Sequence, residues 1–206
     1  MGWWEAHVVP RLVDVTSSQQ PIMELRREVC AGLSGRVVEV GFGSGLNLGA
    51  LPAEVTSVDA VEPSDLAWSR SARRRSESRV PVARVGLDGE DLDADDASYD
   101  AALVTFSLCT IPDPARALRE VRRVLRPGCV LHFAEHGLAP DDNIRRWQRR
   151  LEPVQRRVAG GCHLTRDPVA LIEAAGFVTQ DVAQLYLAPG PGKPLGYLSR
   201  GRAVRS

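Results

Sequence analysis

The stretch from Val38 to Gly45, "VEVGFGSG", decides the fold of this chain. A short apolar run ends in three glycines at alternate positions, Gly41, Gly43 and Gly45. Glycine permits left-handed backbone angles and lets a ligand approach the main chain closely. In an open α/β sheet, the turn after the first strand lies at the edge where ligands bind. The stretch therefore predicts a strand that leads into a ligand-binding loop, with an unliganded tight turn as the alternative.

The spacing of these glycines indicates which ligand the loop holds. The dinucleotide fingerprint is G-x-G-x-x-G, and its third glycine would fall on Leu46 or Leu48 in this chain. The sequence instead has Glu39 followed by G-x-G-x-G. An acidic side chain beside the turn disfavours a pyrophosphate and favours a ligand that carries a cationic group.

A second acidic position follows in "VDAVEPS", residues 58–64. Glu62 comes at the end of the predicted strand, where a carboxylate can accept hydrogen bonds from both hydroxyls of a ribose. Asp59 lies within the same strand and is the competing candidate for the ribose. A solvated acid ahead of a helix is the alternative without a ligand.

Short β-rich runs alternate with helical stretches from Arg36 onward. The predicted strands are "RVVEV" (36–40), "VTSVDAV" (55–61), "VPVARV" (80–85), "YDAALVTF" (99–106) and "CVLHFAE" (129–135). Helices are predicted at Asn47–Leu51, Ser64–Glu77, Asp113–Leu125 and Asp167–Ala175, with two more in the first 30 residues, the second starting near Pro21. Two further strands flank the turn "PGPGKP" (189–194). The pattern predicts an α/β fold, a doubly wound, mostly parallel seven-stranded sheet with an antiparallel C-terminal hairpin.

Length and charge limit the classes of protein that the sequence allows. The 206 residues suit a single domain, with a helical cap over 1–33 and a core over 36–206 that includes a lid insertion at 137–166. Lys+Arg and Asp+Glu both number 26, so no bulk positive field gathers nucleic acid. We expect a small-molecule substrate, and the oligomeric state is left open.

The location of the protein is predicted from what the sequence lacks. No apolar run reaches the ~18 residues of a membrane span, and the first residues show no signal-peptide pattern. The four cysteines are scattered without a C-x-x-C pair, which indicates free thiols in a reducing compartment. These features predict a cytoplasmic protein with no integral membrane segment.

The stretch "NIRRWQRRLEPVQRRV", residues 143–158, predicts an amphipathic helix. We expect a lid whose apolar face covers the substrate, and a helix lying on an anionic membrane surface is the alternative, so peripheral membrane contact stays open. Pro153 is expected to kink or break this helix. Its apolar stripe consists of Ile144, Trp147, Leu151, Val154 and Val158, and six arginines flank it.

Candidate groups on the substrate side are mainly histidines. His136 follows the fifth predicted strand, and His163 lies in "GGCHLTRD", where two glycines indicate a turn close to a ligand. Both are candidate catalytic residues, with ordinary partly buried histidines as the alternative. Trp3, Trp4 and His7 are further substrate-side candidates. No metal is predicted, because a zinc set lacks paired ligand spacing; the set considered is His132, His136, Cys162 and His163.

Taken together, these motifs resemble the class I S-adenosylmethionine-dependent methyltransferases, in the group that includes the ubiquinone and menaquinone C-methyltransferases. The likeness runs from about Arg36 to Phe177 through "VVEVGFGSG", "VEPS", "DGEDLDADDASYDAAL" and "FSLCTIPDPARALREVRRVLRPGCVL", where Cys129 replaces a second glycine. A closer likeness, in "FAEHG", "WQRRLEPVQRRVAGGCHLTRD" and "IEAAGF", is to the alkyl-thiol methyltransferases and their bacterial relatives.

The resemblance implies S-adenosylmethionine as the cofactor and methyl transfer to a small, rather apolar thiol, phenol or quinol. Glu39 would face the ammonium of the cofactor, directly or through a water, Glu62 would hold its ribose, and Asp88 would accept from the adenine amino group. Thr105 and Phe106 would lie beside the sulfonium of the cofactor. The rival hypotheses are a cofactor-binding protein without catalysis and a nicotinamide-dependent oxidoreductase. The implied cofactor site consists of Glu39, Gly41, Phe42, Gly43, Glu62, Pro63, Asp88, Gly89, Thr105 and Phe106.

Overall fold

One sheet of seven strands organises the chain in a computed structural model, which describes residues 19–187 and 189–206. The strand order is β3-β2-β1-β4-β5-β7-β6. The first five strands are parallel, and β7 runs antiparallel to both β5 and β6. The predicted fold class is confirmed. The strands are β1 (Gly35–Val40), β2 (Val55–Val61), β3 (Val82–Gly86), β4 (Tyr99–Thr105), β5 (Leu125–His136), β6 (Phe177–Tyr186) and β7 (Tyr197–Arg205).

Helices cover both faces of this sheet. Three of them begin at a side chain that caps the first turn: Ser64, Asp113 and Asp167 each accept a hydrogen bond from a backbone N–H group of the helix that follows. The α-helices are α1 (Gln20–Cys30), α2 (Asp65–Arg70), α3 (Ala72–Ser76), α4 (Pro114–Val124), α5 (Asp142–Val158) and α6 (Pro168–Ala174). Two 3₁₀ helices are Leu46–Ala50 and Gly190–Leu195.

Several predicted elements differ in detail from those observed. The helix predicted at Asn47–Leu51 is the 3₁₀ turn, and the one predicted at Ser64–Glu77 divides at Ser71, whose hydroxyl donates to the carbonyl of Trp68 at 2.6 Å. Strand β5 begins at Leu125, before the predicted start, because Leu125 already pairs with Tyr99 ahead of a register shift.

Helix α5 continues through Pro153, so the predicted break is absent. Pro153 has no N–H group to donate to the carbonyl of Arg149 in the preceding turn. Both residues are exposed, so water can donate to that carbonyl instead. Among the described ranges, no helix is both long and apolar enough to cross a bilayer. The predicted first helix, with Trp3, Trp4 and His7, lies outside the described residues.

The core consists of one apolar layer on each side of the sheet. One layer packs α4 and α6 against the strands, around Tyr99, Leu118 and Phe133. The other packs α1 and the first 3₁₀ helix against the strands, around Leu33 and Leu103. Strand β1 lies between β2 and β4, so the strand order reverses there. The carboxyl ends of these strands therefore border the crevice in which such sheets bind ligands.

Candidate active site

A crevice of about 650 Å³ opens at the carboxyl edge of the sheet. This volume lies within the range of small-molecule sites. Its walls come from the loops after β1, β2, β3 and β4 and from the end of α5. The structure brings nine of the ten predicted cofactor residues to this crevice: Gly41, Phe42, Gly43, Glu62, Pro63, Asp88, Gly89, Thr105 and Phe106.

The glycines of the loop after β1 have two different roles. Gly41 and Gly43 both have left-handed backbone angles, with φ of +78° and +59°. A Cβ atom at Gly41 would lie 1.8 Å from the Ser107 hydroxyl oxygen, so glycine is required there by packing. A Cβ atom at Gly43 would meet no described protein atom within 4 Å. Gly43 thus leaves space for a ligand against the main chain.

Glu62 ties the loops after β1 and β2 together. Its Oε2 accepts a hydrogen bond from the N–H group of Gly43 at 2.7 Å, and its Oε1 accepts from that of Ser64 at 2.8 Å. Burial raises the pKa of Glu62, and the two backbone donors oppose that rise. Each carboxylate oxygen keeps a second lone pair. Glu62 can therefore accept from two ribose hydroxyls while it fixes the loop.

Asp59, the competing candidate for the ribose, is already engaged inside the fold. Its Oδ2 accepts from the Arg36 guanidinium Nε at 2.9 Å and from the Tyr99 hydroxyl at 2.9 Å. Asp59 does not line the crevice. The geometry therefore favours Glu62 for the ribose.

Glu39 lies one layer beneath the crevice rather than in its wall. Its Oε1 accepts from the Asn47 side-chain amide at 2.8 Å, and that amide also donates to the Thr105 hydroxyl at 2.9 Å. Its Oε2 is buried with no hydrogen-bond partner among the described residues. Burial raises the pKa of Glu39 to about 7. Glu39 would therefore reach a ligand ammonium through a water, or directly after a shift of Asn47.

Sequence reasoning missed Arg26, a buried cation in the wall of the crevice. Its Nη1 donates to Asn47 Oδ1 at 2.7 Å and to the Thr105 hydroxyl at 3.1 Å. Its Nε is buried with no hydrogen-bond partner in the described ranges. Burial lowers the pKa of Arg26, and the nearby Glu39 carboxylate opposes that shift. The signal in the sequence is an arginine on the otherwise apolar face of α1, between Leu25 and Val29.

These two orphaned atoms fit the methionine end of S-adenosylmethionine. That end is a zwitterion with one ammonium and one carboxylate. The unpaired Oε2 of Glu39 and the unpaired Nε of Arg26 offer one complementary charge for each. Both residues hydrogen-bond to the side chain of Asn47, which follows the loop after β1.

The opposite end of the crevice suits a flat apolar ring. Leu87 is 59% exposed although it is a large apolar side chain, and it lines the crevice near Pro63, Asp88 and Gly89. Asp88 Oδ1 accepts from the N–H group of Glu90 at 2.8 Å and keeps further lone pairs. An adenine ring there would cover Leu87 and offer its amino group to Asp88.

Neither predicted catalytic histidine lines the crevice. His163 Nδ1 lies 3.0 Å from Oε1 of Glu152 on α5, which draws the ring toward that helix. His136 lies behind Phe106, with ring centroids 5.3 Å apart. Of the turn that contains Gly160 and His163, Gly160 lines the crevice and His163 does not.

The apolar stripe of α5 does not cover the crevice either. Trp147, Val154 and Val158 are 52%, 59% and 41% exposed. Of the stripe, Leu151 packs against a small buried cluster of Cys109, Cys162 and Leu164. The crevice is lined instead by Ala159 and Gly160, which directly follow the last residue of the helix. The exposed part of the stripe does not line the crevice, and the lid stays a prediction.

Between the β4 loop and the segment just after α5, the crevice is lined by apolar side chains and hydroxyls. The ionisable side chains of the whole lining are Arg26, Glu62, Asp88 and Glu90, and Arg26 lies over the Phe106 ring. The wall between the β4 loop and the segment after α5 adjoins Thr105 and Phe106, which the resemblance places beside the sulfonium. Its members are Phe106, Ser107, Thr110, Ile111, Pro112, Ala159 and Gly160. A small, rather apolar acceptor fits this wall, which we call the acceptor wall.

Comparisons with known proteins show the family of the chain. A methyltransferase domain family matches residues 38–133. Thiol S-methyltransferase TMT1B of Rattus norvegicus is 35% identical over 176 residues, covering 82% of this chain and 70% of that protein. Demethylmenaquinone methyltransferase of Clavibacter sepedonicus is 30% identical over 135 residues, covering 66% of this chain and 55% of that protein.

Solved structures show the same fold. The crystal structure of an S-adenosylmethionine-dependent methyltransferase from Mesorhizobium loti superimposes with a TM-score of 0.65, at 18% identity, and covers 88% of this chain and 96% of that chain. At this identity the likeness concerns the fold alone.

The fold and the crevice define a Rossmann-like enzyme that binds a nucleoside carrying an amino acid. The chain belongs to the S-adenosylmethionine-dependent methyltransferases, and S-adenosylmethionine is its cofactor. It methylates a small acceptor. These results confirm the predicted enzyme class and cofactor, and they do not support the nicotinamide-dependent and non-catalytic alternatives.

Proposed function

We propose that this methyltransferase transfers the methyl group to the sulfur of a small, rather apolar thiol. The observation that carries the proposal is the acceptor wall, whose own side chains are apolar or carry only a hydroxyl. A thiol with a pKa near ~8.5 supplies some thiolate at neutral pH without a base, whereas a phenol near ~10 or an alcohol needs more help. The 35% identity to a thiol S-methyltransferase supports the same acceptor.

The residues of the chain mainly bind and align the two reactants. The bound cofactor supplies a methyl group on a positively charged sulfur. Glu62 would hold the ribose, and the pair of Glu39 and Arg26 would hold the methionine end. Thr105 and Phe106 would then place the methyl group toward the acceptor wall. The thiolate sulfur forms a bond to the methyl carbon as the carbon–sulfonium bond breaks, and orientation together with exclusion of water lowers the barrier.

The experiment is a panel of matched acceptors with methyl-labelled cofactor. Butanethiol, butanol, a phenol and a reduced quinone are compared at equal concentration, and labelled product is counted. We expect butanethiol to be methylated at least ~10²-fold faster than butanol, because the thiol is a far stronger acid than the alcohol and loses its proton more easily during attack. Faster methylation of the quinol or the phenol than of every thiol would overturn the acceptor assignment and leave the enzyme class intact.

We also infer a cytoplasmic location and action without nucleic acid. The four cysteines among the described residues are all free, which suits a reducing compartment. Peripheral membrane contact is the alternative, since the exposed Trp147, Val154 and Val158 lie on a helix rich in arginine. Flotation with anionic vesicles tests it: co-flotation that Trp147→Gln abolishes would favour the membrane surface.

A further inference from the structure

Three chain segments meet behind the acceptor wall and bring two cysteines and one histidine together. Cys109 lies in the loop after β4, His136 ends β5, and Cys162 follows α5. One ligand atom from each residue lies within 4.8 Å of the other two. Cys109 and Cys162 are buried and free. Nothing in the proposed cofactor or acceptor binding uses this cluster.

The three ligand atoms match the donor set of a thiophilic divalent cation. Zinc binds cysteine sulfur at ~2.3 Å and histidine nitrogen at ~2.0 Å in a tetrahedron, so neighbouring ligand atoms lie about 3.5–3.8 Å apart. Side-chain rotation suffices to close a triangle whose sides are at most 4.8 Å to that size. Two thiolates and one imidazole select zinc over the hard cations magnesium and calcium.

The surroundings hold this cluster in place and leave one of its donors unused. The N–H group of His163 donates to the carbonyl of Cys109 at 2.8 Å, which fixes the chain around Cys162 against the β4 loop. Glu135 Oε1 accepts from the N–H group of Ser107 at 2.7 Å and anchors the same loop. His136 Nδ1 is buried without a hydrogen-bond partner among the described residues. A buried nitrogen without a partner is costly. The His136 side chain and Cys109 each interact with the Cys162 thiol, so the three groups already face one another.

The zinc site considered from the sequence used a different set of residues. His132 Nδ1 lies 2.7 Å from the carbonyl of Val29, on the side of the sheet that faces α1. His163 Nδ1 is engaged by Glu152. Cys109 takes their place, and it escaped the sequence pattern because it lies on a separate loop far from the other two ligands along the chain.

Three protein ligands leave the fourth corner of a tetrahedron for a substrate atom. The His136 ring packs on Phe106, and Phe106 and Thr110 belong to the acceptor wall. We propose that Cys109, His136 and Cys162 bind one zinc-class cation whose open position takes the sulfur of the acceptor. The metal site stands on geometry alone, and its use for the acceptor rests on the proposed function.

The chemistry of this site balances without any further reactant. When the thiol binds the cation, its S–H bond breaks and the proton leaves to water. The sulfur then forms a bond to the methyl carbon while the carbon–sulfonium bond breaks, so no electron is gained or lost by the metal. The thioether product is a weaker ligand than the thiolate and leaves the open position free again.

The first test measures metal binding and not activity. The reduced, chelator-treated protein is titrated with Co²⁺, and the thiolate-to-cobalt charge-transfer absorbance is followed. We expect one Co²⁺ per chain, displaced by Zn²⁺, and a loss of more than ~100-fold in affinity in Cys109→Ser and in Cys162→Ser. Cys129→Ser is the matched control, because Cys129 lies outside the cluster, and it should bind as the unmodified chain does. Unchanged affinity for S-adenosylhomocysteine shows that each variant is folded.

Absence of the charge-transfer band in the reduced protein, or titration curves that are the same for both cluster variants and the control, would overturn the metal site. So would a Cys109–Cys162 disulfide that reforms on reoxidation while the reduced protein binds no Co²⁺.

A second test addresses the open position. Butanethiol added to the Co²⁺-loaded protein should shift the charge-transfer band, and butanol should not. Bound cobalt with no shift by any thiol would overturn the open position. A shift without methyl transfer to any thiol would leave this site standing and remove the proposed function instead, so the two failures are distinguishable.

Discussion

The cofactor side and the acceptor side of the crevice are built in different ways. On the cofactor side, short turns follow the strands directly, and hydrogen bonds such as that from the Gly41 N–H group to the Val61 carbonyl fix the main chain. On the acceptor side, residues 137–166 return over the sheet edge through α5. There the buried apolar cluster is small, and three large apolar side chains of α5 are exposed.

This difference indicates which part of the site tolerates amino-acid substitutions. A site defined by backbone geometry at strand ends is fixed by the sheet itself. A site defined by side chains on a returning segment depends on a few contacts, such as that of His163 with Glu152. Substitutions on the cofactor side should therefore change affinity sharply, and most substitutions on the acceptor side should change it little.

The largest effect is expected from Gly43→Val. Its side chain would enter the open space beside the loop after β1. We expect cofactor affinity to fall beyond detection, at least ~10³-fold, while the domain stays folded, since a branched side chain would occupy cofactor volume. Gly128→Val is the control, because Gly128 also has a left-handed φ, of +78°, and open space but lies away from the crevice. The affinity of both variants for S-adenosylhomocysteine is measured by calorimetry. If Gly128→Val lost as much affinity as Gly43→Val, the loss would come from backbone strain and not from filled cofactor space.

Glu62→Ala comes next. Two charge-assisted hydrogen bonds to the ribose would be lost, together with the contacts to Gly43 and Ser64. We expect cofactor affinity to fall by ~2–3 kcal/mol, about 30–150-fold. Asp59→Asn should leave affinity nearly unchanged and lower the unfolding temperature, because Asp59 pairs with Arg36 and Tyr99 inside the fold. The reverse order of the two affinities would contradict the ribose assignment.

The cofactor side was largely predictable from the sequence, and for a physical reason. Apolar runs indicate parallel strands, and the carboxyl ends of parallel strands meet at one edge of the sheet. The spacing of the glycines then indicates where the ligand contacts the backbone. Predicted bounds of β1 to β4 agree with the structure within two residues. Phe106, predicted as the end of β4, falls just beyond it because its φ is +56°.

The acceptor side was poorly predictable because its geometry depends on side-chain partners that are distant along the chain. His163 was predicted to face the substrate, but Glu152 holds it. The stripe of α5 was predicted to cover the substrate, but periodicity shows only that a face is apolar and not what lies against it. Arg26 was missed because an arginine on a helix is normally exposed.

The variant Arg26→Leu tests whether the positive charge of Arg26 on α1 binds the carboxylate of the cofactor. Decarboxylated S-adenosylmethionine, which lacks the carboxylate, is the probe. The unmodified protein should prefer the complete cofactor by roughly 10–100-fold, the effect of one charge-assisted hydrogen bond. In the variant that preference should disappear, even though affinity for both ligands falls through loss of the contacts with Asn47 and Thr105. An unchanged preference would place the carboxylate elsewhere.

A smaller effect is expected from pH through Glu39. Burial raises its pKa to about 7, and a ligand ammonium favours the ionised form. The free protein thus binds more protons than the complex, and affinity for S-adenosylhomocysteine should rise roughly tenfold from about pH 5.5 to about pH 7. The cofactor-free fold holds this proton more tightly than the unfolded chain does. Its free energy of unfolding therefore falls as pH rises through about 7. Glu39→Gln should flatten most of both dependences, and an equally steep affinity profile in that variant would assign the proton to another group, such as Glu62.

The smallest effect on turnover is expected from His163→Ala. A general base would be worth at least ~10²-fold, but His163 lies outside the crevice and its Nδ1 is engaged by Glu152. We therefore expect kcat with a thiol to change by less than ~3-fold and the free energy of unfolding to fall by about 1 kcal/mol. Glu152→Gln breaks the same contact from the other side, so the two variants should match in turnover if the contact only positions the segment after α5. A loss of turnover confined to His163→Ala, with unfolding unchanged, would mean that the ring leaves Glu152 for the acceptor during the reaction, and the acceptor side would then be as strictly built as the cofactor side.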